Sequence, residues 1–67
     1  MPEYTIVRSD NGHVILRTDK LADLPDKRDL TGMRMLGAKL YEDGKEVIGT
    51  RLSDLLAEKE RELIQNL

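Results

Sequence analysis

The sequence predicts an α+β fold: two antiparallel β-hairpins, a short helical turn between them, and a C-terminal amphipathic helix packed on one face. Three observations predict this arrangement. Asn11-Gly12 and Asp43-Gly44 each divide a short apolar run, as the tight turns of hairpins do. Leucines then recur at helical spacing from about Ser53 to Leu67. A chain of 67 residues is expected to form one small domain, residues 1–67.

The first hairpin is predicted from residues 3–8 and 13–18, two runs rich in β-branched residues. A two-residue type I′ loop at Asn11-Gly12 suits them, because both central residues of that loop need a positive φ. Such a loop sets the register and places Arg8 opposite Ile15. The side of this two-stranded ribbon that is predicted to face the core then carries Val7, Val14 and Leu16.

The second hairpin is predicted around Asp43-Gly44 by the same argument, with Leu40 opposite Val47. A β-bulge at Gly37 or Gly49 is the alternative, and it would shift the register by one residue. Without the bulge, the apolar face of this hairpin consists of Leu36, Ala38, Leu40 and Val47.

Between the hairpins, a short helical turn is predicted to bring Leu21 and Leu24 together and to end at Pro25. Residues 26–29 are all charged, and they are predicted to form a solvated loop. Gly32 is expected to break the chain before the third strand.

The C-terminal helix is predicted to begin with Ser53 as its N-cap. Because a helix this short is marginal alone in water, its apolar stripe must pack against something. Lys59 and Glu60 interrupt the stripe, so the first half is expected to cover the sheet and the second half to reach beyond it. Packing of the whole stripe within one chain is the alternative. The candidate oligomer interface consists of Leu63, Ile64 and Leu67.

The composition favours self-association. The core of so short a chain is only marginally adequate, and there is no cysteine for a disulfide or a thiolate metal site. One histidine excludes a histidine-rich zinc site, and Tyr4 and Tyr41 are the only aromatic residues that could add large burial. A homodimer or larger assembly is therefore predicted, and a compact monomer is the alternative.

The sequence gives no indication of a membrane partner. No stretch approaches the roughly 20 apolar residues that span a bilayer, and residues 1–4 lack the features of a secretory signal. A cytoplasmic protein is expected. The formal charge of −2 divides into +1 over residues 1–39 and −3 over residues 40–67, and neither part has the positive excess of a strong nucleic-acid binder.

Arg8, His13 and Arg17 are the candidate contacts for a nucleic acid or a protein partner, because the predicted register puts them on one side of the first ribbon. A two-stranded ribbon can enter a major groove, where arginines contact phosphates or guanine edges. The alternative is that Ile6 and Ile15 pack against the middle segment while the arginine stems lie over them.

The same region has a local pattern that carries a family resemblance: Ile6-Val7-Arg8, then residues 10–16 with Asn11-Gly12 at their turn, then Glu42-Asp43-Gly44-Lys45. This pattern resembles the swapped-hairpin DNA-binding domains of AbrB-type transition regulators and MazE-type antitoxins. The resemblance implies DNA binding through the first hairpin. Arg17 stands where that pattern has a Pro, and His13 stands where it usually has a basic residue.

No catalytic residue, metal ligand or cofactor is predicted. Pro2 could offer a prolyl amine as a base, as in the tautomerase family, but those chains run strand, long helix, strand, whereas here the first strand turns back. The chain is therefore predicted to be a small non-catalytic interaction or regulatory module that acts as a homo-oligomer and binds a protein partner. The alternative is a DNA-binding transcriptional regulator or antitoxin-like protein that uses the N-terminal hairpin.

Overall fold

A computed structural model describes residues 2–65 of the chain. It contains four strands, two α-helices and one turn of 3₁₀ helix in a β-β-α-β-β-α order. The elements are β1 (Tyr4–Arg8), β2 (Val14–Thr18), the 3₁₀ turn (Leu21–Asp23), α1 (Lys27–Met35), β3 (Ala38–Glu42), β4 (Lys45–Glu46) and α2 (Gly49–Gln65).

The two hairpins form one antiparallel sheet with the strand order β2-β1-β3-β4. β1 is therefore a central strand. The connection from β2 to β3 crosses over β1 and contains the 3₁₀ turn and α1. The helices pack on one face of this sheet. The α+β fold class with paired hairpins and a C-terminal helix is confirmed.

The core lies between that face of the sheet and the helices. Side chains alternate along a strand, so every second residue of β1 and β3 points into it. Its members come from β1 and β3, from the residues that follow the 3₁₀ turn and β4, and from both helices: Tyr4, Ile6, Leu24, Leu30, Ala38, Leu40, Val47 and Leu55.

The turn of the first hairpin differs from the prediction. The Arg8 amide donates to the His13 carbonyl (2.8 Å), so the loop has four residues, 9–12, and not two. Gly12 has a φ of 71°, whereas Asn11 is not in the positive region that a type I′ turn requires. The Asn11 side-chain oxygen instead accepts from the His13 amide (2.9 Å). This hydrogen bond between the Asn11 side chain and the backbone two residues on favours the four-residue loop over a type I′ turn.

A β-bulge follows this longer loop. Val7 pairs with Val14 and Ile6 pairs with Leu16, which leaves Ile15 as an extra residue in β2. The predicted core face of the ribbon is therefore wrong for Val7 and Val14, whereas Leu16 packs against the core. Ile6 is fully buried, whereas Val14 is exposed on the opposite side.

The second hairpin turns as predicted. Asp43 (φ 51°) and Gly44 (φ 84°) both have the positive φ of a type I′ turn, and Glu42 pairs with Lys45. The Val47 amide donates to the Leu40 carbonyl (2.8 Å), and both side chains are buried. Leu36 departs from the prediction, because it caps α1 ahead of β3 and is largely exposed.

The segment predicted as a charged loop forms helix α1. Asp26 is its N-cap and accepts a hydrogen bond from the Asp29 amide (2.9 Å). Leu30 faces the core, and Gly32 lies inside the helix and does not end it. The charged residues of its first turn occupy the exposed face.

Helix α2 begins at Gly49, one turn before the predicted cap at Ser53. Its buried residues are Leu55 and Lys59, which are one turn apart. Lys59 was expected to interrupt the apolar stripe, but it exposes only 7% of its surface and its aliphatic stem continues the inward face. Leu63 lies one turn further along this face but is exposed, as is Ile64 beside it.

Candidate interaction surfaces

The three basic candidates of the first ribbon are exposed but do not share one side. Arg8 is two residues after the buried Ile6 in β1, and it therefore lies on the same side of the sheet, the side that the helices cover. Arg17 pairs with Thr5 and therefore lies on the opposite side. The prediction that Arg8, His13 and Arg17 form one surface is wrong, because it assumed a ladder without the bulge at Ile15.

Both arginines already have acidic neighbours. The Arg8 guanidinium donates two hydrogen bonds to the Asp10 carboxylate, the shorter one 2.9 Å long. Arg17 lies 3.8 Å from the Glu3 carboxylate. Neighbouring carboxylates oppose the phosphate attraction on which nucleic-acid binding depends.

The candidate oligomer interface on α2 is uncovered where the structure describes it. Leu63 exposes 44% of its surface and Ile64 exposes 67%. Leu67, the third predicted member, lies outside the described residues. We call the exposed pair Leu63 and Ile64 the distal pair.

A second apolar surface was not predicted. It is a depression of about 370 Å³ on the helix side of the sheet, between β2 and the C-terminal end of α1. We call it the apolar groove. Leu36, on its wall, exposes 90% of its surface, and the neighbouring Met35 is also exposed. The lining residues are Arg8, Ile15, Met33, Leu36 and Ala38.

Sequence reasoning missed the groove for two reasons. It placed Leu36 inside a strand of the core, since α1 was not recognised. It also assigned Ile15 to a regular ladder, whereas the bulge brings it to the groove wall. The signal for α1 was available: Asp26 is a good N-cap, and Leu30 and Met33 are one turn apart.

The opposite end of the sheet is closed by a charged cluster. The Arg51 guanidinium donates to both oxygens of the Glu42 carboxylate (2.8 and 2.6 Å) and to Glu58 (3.4 Å). Because the carboxylates favour the charged guanidinium, the pKa of Arg51 is raised further above its usual value. Burial, together with the charge of Glu42, raises the pKa of Tyr4 above its usual 10.0. This arrangement holds α2 against β3.

The outer edge of β2 is open among residues 2–65. Even-numbered residues of β1 bond to β2, as the Arg8 amide does, and odd-numbered residues bond to β3, as Ser9 does. Thr5 is odd-numbered and bonds to β3, so it makes no backbone hydrogen bond to its β2 partner Arg17. The Arg17 amide and carbonyl are therefore directed away from β1, toward the open edge. An open edge of this kind can accept a further strand.

Two kinds of site were not found within residues 2–65. No group of three or more His, Asp or Glu side chains there is placed to hold a metal ion. No helix in that range has the length and apolar character needed to cross a membrane. Comparison with protein families, curated proteins and solved structures gave no match to the chain.

Proposed function

We propose that this chain is a cytoplasmic, non-catalytic interaction module that acts as a homo-oligomer and binds a protein partner. The observation that carries the proposal is the large apolar surface that so small a domain leaves uncovered. Single exposed hydrophobic residues are common on monomers, but clustered ones mark interaction sites. Here they gather chiefly at the groove end of the sheet and at the distal pair: Val14, Ile15, Met35, Leu36, Ile48, Leu63 and Ile64.

Sedimentation equilibrium over a wide range of protein concentration tests the homo-oligomer. We expect the average mass to rise from that of one chain to that of a dimer or larger assembly, because burial of apolar surface favours association. A mass of one chain at every concentration would refute this part of the proposal.

The open edge of β2 is the best-supported place for a protein partner, which would add an extended segment as a fifth strand. The test compares proteins retained by the immobilised wild type, by Arg17→Pro and by Arg17→Ala. Proline removes the outward amide without removing a bond to β1, whereas alanine removes only the charged side chain. We expect a partner that is lost with proline and kept with alanine. Equal retention by all three would exclude the edge as its binding site.

The DNA-binding alternative is supported by one observation, the exposure of Arg8, His13 and Arg17 on a single ribbon. If it holds, affinity for duplex DNA falls steeply as salt rises, and Arg8→Ala with Arg17→Ala lowers the salt slope by about 2. Arg28→Ala, an exposed charge on α1, is the matched control. No binding to duplex DNA at low salt would remove this alternative.

A further inference from the structure

We propose that two copies of this chain form a closed dimer in which the distal pair of each copy enters the apolar groove of the other. The inference rests on the proposed homo-oligomer and names its contact. It accounts for two unpartnered surfaces at once, since each copy supplies one groove and one distal pair.

The apolar character of the two surfaces matches. The groove is bounded by aliphatic and thioether side chains, chiefly Ile15, Met33 and Leu36, and Met35 extends it. The groove is open to solvent and its volume of about 370 Å³ can take branched aliphatic side chains. Leu63 and Ile64 are such side chains, and they project from a helix that packs elsewhere through Leu55 and Lys59. Methionines suit such a contact because they adapt their shape.

The charges around the two surfaces are complementary. Arg8 lines the groove and Arg34 lies in the last turn of α1, so together they outnumber Asp10 there. On α2, Lys59 is buried, and among the remaining charged side chains beside the distal pair Glu60 and Glu62 outnumber Arg61. The same asymmetry extends over the chain, with +1 on residues 1–39 and −3 on residues 40–67. Opposite charge favours docking of one region on the other.

These charges also disfavour the simpler arrangement, in which the distal pairs of two copies pack on each other. That contact would bring Glu60 and Glu62 of one copy close to the same residues of the second copy, and like charges repel. A groove contact avoids the repulsion.

Two-fold symmetry closes the assembly. If each copy placed its distal pair in the groove of a different neighbour, the copies would form an open chain. When two copies exchange their distal pairs across a two-fold axis, both grooves are filled and the assembly closes. A stable interface buries about 800 Å² per partner. An area of about 800 Å² is about one sixth of the 4872 Å² surface of one copy. The two groove contacts of the dimer would together bury this area.

The test uses charge exchange across the contact. Leu36→Glu and Ile64→Lys each place a charge in the apolar contact, and each is expected to weaken dimerisation about tenfold or more by sedimentation. Both residues are largely exposed, so the folded monomer should persist, which circular dichroism checks. In the chain that carries both substitutions, the new carboxylate of one copy meets the new ammonium group of the other. Dimerisation of this double variant should recover to within about threefold of wild type.

Two control variants carry the same charge changes elsewhere. Ala57→Lys lies on α2 and Thr31→Glu lies on α1, both at exposed positions outside the contact, and neither should shift the dimerisation constant. A wild-type chain that stays monomeric would refute the proposed homo-oligomer itself. A dimer that Leu36→Glu leaves intact, or a double variant no tighter than either single one, would refute the groove contact alone. An interface of distal pairs would give the first of these two results.

Discussion

The two hairpin turns carry similar dipeptides but fold differently. Asp43-Gly44 forms the two-residue turn that its chemistry favours, whereas Asn11-Gly12 ends a four-residue loop. β3 meets only a two-residue strand after its turn. β1, in contrast, is central, and Ser9 continues its ladder to β3, because the Ser9 amide donates a hydrogen bond to the Gly37 carbonyl (2.9 Å). Local turn chemistry decides the register only where no tertiary pairing competes for the same residues.

The consequence is that one hairpin could be derived from its turn and the other could not. Extending β1 to Ser9 lengthens the loop, and the bulge at Ile15 then restores the burial of Ile6 opposite Leu16. The bulge decides which side chains of β2 face the core, and it places Arg17 on the side of the sheet opposite to Arg8. It also creates the groove wall.

The largest expected effect tests which face of β1 is buried. Ile6→Ala should lower the free energy of unfolding by about 3 kcal/mol, because Ile6 is completely buried and its loss leaves a cavity. Val7→Ala is the matched change on the opposite face and should cost about 1 kcal/mol. Urea unfolding measures both. The sequence-based assignment of Val7 to the core face predicts the reverse order, so a costlier Val7→Ala would contradict the burial of Ile6.

The second prediction concerns the turn that behaved as expected. Gly44→Ala should cost about 1–2 kcal/mol in thermal or urea unfolding, because a side chain is strained at a φ of 84°. Gly32→Ala is the control. Gly32 lies in α1 with a helical φ and with open space where an added methyl group would lie, so this change should stabilise by about 0.5–1 kcal/mol. A costly Gly32→Ala would argue against the helix at this position.

The elements that could be predicted are those with short-range signals. The leucine spacing of α2, the Asp43-Gly44 turn and the pairing of Leu40 with Val47 depend on neighbours in the chain. Helix α1 was missed because its charged first turn masked the cap at Asp26. The bulge could not be derived, since it results from competition between β2 and β3 for β1.

The third prediction removes the extra residue. Deletion of Ile15 should leave a folded sheet at a cost of about 1 kcal/mol, because Ile15 has no partner in the ladder and Val14 and Leu16 then become regular neighbours. Deletion of Ile6, a fully buried residue of the central strand β1, shifts the register with both β2 and β3, so it should prevent folding and serves as the control. Circular dichroism and urea unfolding report both. Loss of folding on deletion of Ile15 would show that the strand has no spare residue there.

The smallest effects concern the ion pairs near the two turns. Glu42→Gln should cost about 1 kcal/mol, since Glu42 is mostly covered and accepts two hydrogen bonds from Arg51, which tie β3 to α2. Asp10→Asn should cost only about 0.3 kcal/mol, because both members of the Arg8–Asp10 pair are exposed and the pair joins residues only two apart in the chain. Urea unfolding at low and high salt separates them, and equal costs would mean that the tip of the first hairpin is held as firmly as the tip of the second.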